Sequence, residues 1–250
     1  MFGARAQVPP IGSPRTNVDA FGRSDIGRAR DRNEDRFRIA DLPDKLLVVA
    51  DGVGGNGGGD IASGVAVEAV VDHLRFAIAR GRGKIVDLPA ELSAGLRFAA
   101  ERVLATAAAD GMHPHMATTL TAAYVARGAA FVAHAGDSRA YLFRDGRITR
   151  LTRDHTLAEL LGGNAFHNTL YNSIGGIPAD KLIVDLHRVD LQAGDTLLLC
   201  TDGLTLHLDD AAIVRHLHRR DDARTACDAL VDAALAEGGK DNIAAIVALV

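Results

Sequence analysis

Residues 47–60 read LVVADGVGGNGGGD, and the choice of fold turns on which ion those glycines serve. Gly52, Gly54 and Gly57 have the G-x-G-x-x-G spacing of a dinucleotide-binding loop, and Asp72 falls about twenty residues on, where such a loop places its acid. A pyrophosphate loop, however, offers backbone N–H groups to an anion at a helix N-terminus. Asp51, immediately before the first glycine, would set one negative charge against another. A nucleoside-triphosphate loop fails as well, because Gly57-Gly58-Gly59-Asp60 has an acid where Lys-Ser or Lys-Thr is needed. The remaining reading is a cation site. Asp51 ends the apolar strand LLVVA, and the glycines let the backbone turn sharply and bring a carbonyl oxygen to the ion.

The order of elements around this stretch argues the same way. Apolar β-like runs come in consecutive groups: 37–40, 45–50, 118–126, 129–135, 139–143, 147–151, 182–187, 195–200 and 242–250. Arg127-Gly128 and Arg144-Asp145-Gly146 are spaced as hairpin turns. Helical stripes interrupt the series in two places. Val67, Val70, Val71, Leu74 and Ile78 mark a helix over 60–80, and Leu92, Leu96, Ala99, Val103 and Ala107 mark one over 89–109, with Pro89 in its first turn. A third region, 209–236, carries Leu230 and Ala234 on such a stripe and is read as one helix or two. The regular strand–helix alternation of a parallel dinucleotide-binding sheet is missing, and antiparallel sheets packed face to face with helices outside fit better.

A cation at Asp51 calls for further acids at strand ends, and the sequence has them. Asp202 follows DTLLLCT, Asp241 precedes NIAAIVALV, Glu34 and Asp35 precede FRIA, and Asp137 lies between two strands in AHAGDSRAYLF. Oxygen donors of this kind suit the hard ions Mg²⁺ and Mn²⁺. Taken singly, each acid is more simply a turn, a cap or a solvated charge, as Asp145-Gly146 is; the joint pattern carries the argument.

Composition bounds the function. A chain of 250 residues, 48% hydrophobic and 24% charged, is expected to form one globular domain. Its net charge of −4 offers no polybasic surface for nucleic acid or membranes. Cys200 and Cys227 are too few for a disulfide framework and read as buried free thiols. No apolar run is long enough to span a bilayer, and the opening stretch lacks the hydrophobic region of a secretory signal, so a cytoplasmic monomer is the expectation. Residues 1–17 are expected to be a flexible lead-in, with the folded domain over 18–250.

The ordered set RARDRNEDRF, VVADGVGGNGGGDIAS, ATTLTAAYV, AGDSRAYLFRDGRITRLTRDHT, GDTLLLCTDGL and GGKDNIAAIV resembles the type-2C metal-dependent protein phosphatases, the PPM family, and its bacterial branch in particular. The resemblance implies an α+β fold, a four-layer α-β-β-α sandwich of two antiparallel sheets flanked by helices. It implies a binuclear Mn²⁺ or Mg²⁺ centre, with a weaker third ion in many members. By that resemblance Asp51 bridges both ions and the Gly52 carbonyl binds one. Asp202 and Asp241 complete the other ion's shell, Glu34 reaches its metal through water, and Asp35 steadies coordinated waters. Arg30 matches the phosphate-binding arginine, and Asp137 matches a ligand of the third ion, shared with Asp202. The implied activity is hydrolysis of phosphoserine and phosphothreonine in proteins by a metal-activated water, opposing a bacterial Ser/Thr kinase. Two other readings stand beside it: a phosphatase-fold binding module, and a phosphatase for a specialised partner such as a secretion-system phosphoprotein.

The sequence departs from the family pattern in places. Val53 stands where eukaryotic members have His, and Asn56 where bacterial members often have His. After TRDHT only LAELLGGNAFHNTLYNSIGG intervenes, so the flap is short, and Asn172 and Ser173 lie near the usual Arg-Ala. Such a flap borders the substrate groove, and neutral loop variation explains the change equally well. His113, His115, His216 and His218 form two H-x-H pairs that read as surface histidines, since Pro114 makes the first a loop and a helix points the second pair apart.

Overall fold

The computed structural model describes residues 18–54, 58–81, 86–126, 128–162, 166, 169–218 and 222–250. The lead-in over 1–17 and the loop residues Gly55, Asn56 and Gly57 lie outside the described residues.

The strands are β1 (Asp19–Asp25), β2 (Asp35–Asp41), β3 (Lys45–Val53), β4 (Ala117–Thr118), β5 (Leu120–Ala126), β6 (Ala129–Ala135), β7 (Arg139–Arg144), β8 (Arg147–Arg150), β9 (Asp185–Asp190), β10 (Thr196–Cys200) and β11 (Ile243–Leu249). The helices are α1 (Gly58–Gly81), α2 (Leu88–Asp110), α3 (Leu157–Leu161), α4 (Asp202–Thr205), α5 (Asp210–Leu217) and α6 (Ala223–Ala236). One sheet has the order β1-β11-β10-β7-β8 and the other β2-β3-β5-β6-β9, with β4 paired to the end of β3. All pairings between these strands are antiparallel.

The strand alternation explains both the layers and the continuous apolar runs. Side chains on a strand point alternately to opposite faces. Leu47 and Val49 of β3 meet Leu197 and Leu199 of β10 and Ile246 of β11 in a core between the sheets. Leu46, Val48 and Ala50, on the other face of β3, pack under Val70, Leu74, Leu92 and Leu96 of α1 and α2. Tyr141, Leu198 and Val247 pack against Ile213 of α5 and Leu230 of α6. Helix, sheet, sheet and helix are stacked in that order, as the resemblance implies. Strands covered on both faces have no polar side to show, so they read as unbroken hydrophobic runs.

Local signals set the element ends. The Asp87 side chain caps α2, Pro89 lies in its first turn, and left-handed Gly111 ends it. Asp145 and Gly146, both at positive φ, turn β7 into β8. The 209–236 region is two helices, with Asp209 capping α5 and Asp222 capping α6.

Three expectations need correction, and one strand was not foreseen. The run 118–126 is not one strand: Thr119 breaks it, because its N–H donates to the Asp51 carbonyl at 2.8 Å. β3 does not end at Ala50 but continues to Val53 through its pairing with β4. The 182–187 strand lies later, at Asp185–Asp190, where β6 supplies its partner. β1, which the sequence reading lacks, is a polar segment held by its register against β11.

Candidate active site

The acids meet where loops leave the ends of both sheets. β2–β3 register places Asp35 directly opposite Asp51. The Asp51 backbone is held from both sides: its N–H donates to Thr119 Oγ1 at 2.9 Å, and its carbonyl accepts from Thr118 Oγ1 at 2.8 Å. Beyond it, Gly52 crosses the start of α1. A Cβ on Gly52 would overlap the Gly59 carbonyl oxygen and stand 2.7 Å from the Glu34 carbonyl oxygen, so only glycine permits the crossing. That carbonyl of Glu34 accepts from Ser63 Oγ at 2.6 Å and from the Gly52 N–H at 3.2 Å, while the Glu34 carboxylate accepts from the Gly59 N–H.

The other sheet contributes Asp202, the first residue of α4, just after β10, and Asp241, just before β11. A Cβ on Gly203 would overlap the Asn242 carbonyl oxygen, and this close approach keeps the two acids adjacent. Asn242 then fastens the loop that carries Arg30 and Glu34. Its Oδ1 accepts from the Glu34 N–H at 2.9 Å, and its Nδ2 donates to the Ile26 and Arg32 carbonyls, both at 2.8 Å. Arg30 Nη2 reaches Asp241 Oδ2 at 2.8 Å. Asp137 sits on the crossing from β6 to β7, between the two sheets.

Arg30, Glu34, Asp51, Gly52, Asp137, Asp202 and Asp241 all line one cavity of about 600 Å³. Val53, Thr169, Leu170 and Ser173 form other parts of its wall, so the short segment after TRDHT does border the groove. Asp35 lies behind this wall, buried, with its Oδ2 accepting from Thr201 Oγ1 at 2.7 Å.

Crowding shows in the proton affinities. Burial pushes Asp35 up to about 8 against the pull of the Thr201 hydroxyl, with Asp202 and Asp241 adding to the rise. Burial raises Asp51 well above the usual carboxylate range, reinforced by Asp35, Asp202 and Asp137. Asp137 is raised to about 7, first by burial and then by Asp202 and Asp154. Asp202 and Glu34 are raised mainly by burial. Arg30 is raised mainly by its bond to Asp241. Carboxylates gathered at this density take up either protons or a cation.

Hard oxygen donors, clustered and short of counter-charge, fit divalent cations. Two buried oxygens of this cluster, Asp35 Oδ1 and Asp202 Oδ1, have no hydrogen-bond partner among the described residues, which is costly in a protein interior and is relieved by an ion or its waters. Among the described residues, no group of three or more His, Cys, Asp or Glu side chains closes into a ready cage. The acids line the cavity instead, with Asp35 and Asp202 crowding Asp51.

Other sequence candidates lie apart from this cavity. Asp72 is on α1, exposed and paired with Arg75 at 2.7 Å, so the dinucleotide spacing is a coincidence. Cys200 and Cys227 are free and buried, and burial pushes both thiols up to about 12. His115 and His218 are exposed, and His113 binds Asp110. Sequence reasoning passed over Thr118, Thr119, Thr201 and Asn242, and the buried His134 and His155 as well. The one available signal was polar residues set against otherwise apolar strands.

An antiparallel double sandwich with an acid-lined cavity and an arginine at its rim is chemically suited to a phosphoester hydrolase. The sequence pattern described as "Protein phosphatase 2C" matches residues 22–246, and the chain belongs to that family. It is an enzyme, a serine/threonine protein phosphatase. The serine/threonine phosphatase Stp of Listeria innocua is 31% identical over 238 residues, covering 90% of this chain and 93% of the relative. The catalytic domain of the serine/threonine protein phosphatase PstP, solved in complex with two manganese ions, superposes with a TM-score of 0.80 at 31% identity, covering 93% of this chain and 97% of that one. PppA, a key regulatory component of T6SS in Pseudomonas aeruginosa, gives a TM-score of 0.80 at 30% identity over 94% of this chain and 98% of its own. Among the described residues no helix is long and apolar enough to cross a membrane.

Proposed function

We propose that Asp51, the Gly52 carbonyl, Asp202 and Asp241 hold a pair of Mn²⁺ or Mg²⁺ ions, that Glu34 reaches them through water, and that Asp137 with Asp202 takes a third. When bound, such ions activate a water and stabilise charge on a phosphoryl group. The chain's residues do the rest. Arg30 spends one arm of its guanidinium on Asp241 and grips phosphoryl oxygens with the other, a role its planar fork suits. Asp35 holds waters behind Asp51. No phosphoenzyme is required, and neither buried cysteine takes part. The substrates are phosphoserine and phosphothreonine proteins, and the enzyme opposes a Ser/Thr kinase in the cytoplasm, acting as a monomer.

The observation that carries this reading is the convergence of five acids and Arg30, from distant parts of the chain, on one cavity. Its test is hydrolysis of a phosphothreonine peptide with and without Mn²⁺. Asp51→Ala and Asp202→Ala should each lower kcat by at least about 10²–10³-fold, the scale for removing transition-state charge stabilisation. Wild-type rates in either variant would refute the assignment. The binding-module reading predicts no Mn²⁺-dependent turnover at all. A specialised phosphoprotein partner is the second reading, and the likeness to PppA, a regulatory component of T6SS, is what supports it.

A further inference from the structure

His155 is buried, at 2% exposure, and four hydrogen bonds join it to two walls of the cavity. On one side lies Gly136, the residue before Asp137. The His155 N–H donates to the Gly136 carbonyl at 2.7 Å, and the Gly136 N–H donates back to His155 Nδ1 at 3.2 Å. On the other side lies the short segment after TRDHT. The Tyr171 N–H donates to the His155 carbonyl at 3.0 Å, and Asn172 Nδ2 donates to His155 Nδ1 at 2.7 Å. Tyr171 and Asn172 stand between Leu170 and Ser173, both of which line the cavity.

The chemistry allows only one arrangement of protons. The Asn172 amide is fixed by Ile183, whose N–H donates to its Oδ1 at 3.0 Å and whose carbonyl accepts from its Nδ2 at 2.9 Å. Nδ2 therefore faces the histidine as a donor. With two N–H groups aimed at it, His155 Nδ1 must present its lone pair, and Nε2 carries the proton toward Asp185 Oδ2 at 3.2 Å. Asn172 lies near the Arg-Ala expected of the family, so this junction belongs to the form the short segment takes in this chain.

We propose that His155, with Asn172, is a positioning residue that sets the 169–176 wall against the Asp137 loop, and so determines how well the groove accepts polypeptide around the phosphorylated residue. This deepens, and rests on, the phosphatase reading above. A small aryl phosphate offers that wall little beyond its ring, whereas a phosphopeptide carries flanking residues that reach along it. Loss of the junction therefore acts on the ratio of the two kcat/KM values. Loss of general structure lowers both together.

The experiment uses the whole chain with Mn²⁺, a phosphothreonine peptide and para-nitrophenyl phosphate. His155→Leu removes the acceptor. Asn172→Asp is isosteric but turns a donor into a carboxylate oxygen, and it serves where the leucine variant does not fold. Each should lower the peptide-to-aryl ratio of kcat/KM about tenfold, the scale for loss of a residue that orients a site from behind. The loss should sit in KM for the peptide. His155→Asn, whose Oδ1 can stand in for Nδ1 as acceptor, should restore most of the ratio. An unchanged ratio in Asn172→Asp, an equal fall on both substrates, or a His155→Asn variant no better than His155→Leu would overturn the proposal. Absence of Mn²⁺-dependent turnover in the wild type would instead overturn the phosphatase reading beneath it.

Discussion

Arg30 is the exposed member of the site, with its side chain 52% accessible, and it is anchored at one end only. Replacing it by Ala removes charge-assisted hydrogen bonds worth about 1.5–3 kcal/mol, so KM for a phosphopeptide should rise roughly 10- to 100-fold with a smaller fall in kcat. Steady-state kinetics decide the point, and an effect confined to kcat would contradict a gripping role. Asn242 presents the opposite case, a buried amide with three hydrogen bonds to one loop. Asn242→Ala removes the partner of the half-buried Glu34 N–H and of the Ile26 and Arg32 carbonyls, which should cost about 1–2 kcal/mol in urea denaturation and weaken activity through displaced Arg30 and Glu34. Unchanged stability would show that the loop is held elsewhere. The sequence exposed Asp51, Asp137 and Asp202 beside glycines, and Asp241 just before an apolar run. It concealed Asn242, Thr118 and Thr119, whose partners lie far off in the chain and which look locally like ordinary polar residues.

The elements follow the same division. α1, α2 and the inner strands were legible because each carries its own signal, a helical stripe or an apolar run closed by a turn. β1 was not, since DAFGRSD has little apolar content and becomes a strand only through β11. The break at Thr119 was also invisible, because it answers to Asp51 on a neighbouring strand and not to its own sequence. The glycine loop misleads for a related reason. Gly52 is demanded by contact with α1, and a spacing motif does not reveal which contact requires the missing side chain. Gly52→Ala should therefore destabilise the fold by about 1–3 kcal/mol, the scale of overpacking a tight interior. It should also abolish most Mn²⁺-dependent turnover by pushing Asp51 away from Glu34. Thermal melts and assays on the same preparation test both parts, and normal values in both would remove the argument for the crossing.

At the scale of the whole molecule, two sheets meet at an end where carboxyl groups accumulate faster than bases. In the metal-free protein Asp35 and Asp137 hold protons up to about 8 and about 7. The unfolded chain releases them near about 4. The folded state thus binds more protons across that window, and its stability falls as pH rises through it. Cations replace those protons, so the gain in Tm on adding Mn²⁺ should grow from pH about 5 to about 8. A metal-induced gain that shrinks over this range, or a metal-free Tm that climbs, would count against the electrostatic account.

The central claim is that acids from both sheets share divalent cations inside one cavity. An anomalous difference map from crystals soaked in Mn²⁺ tests it most directly. At least two peaks are expected between Asp51, the Gly52 carbonyl, Asp202 and Asp241. A saturated crystal with no peak in that cavity would contradict it.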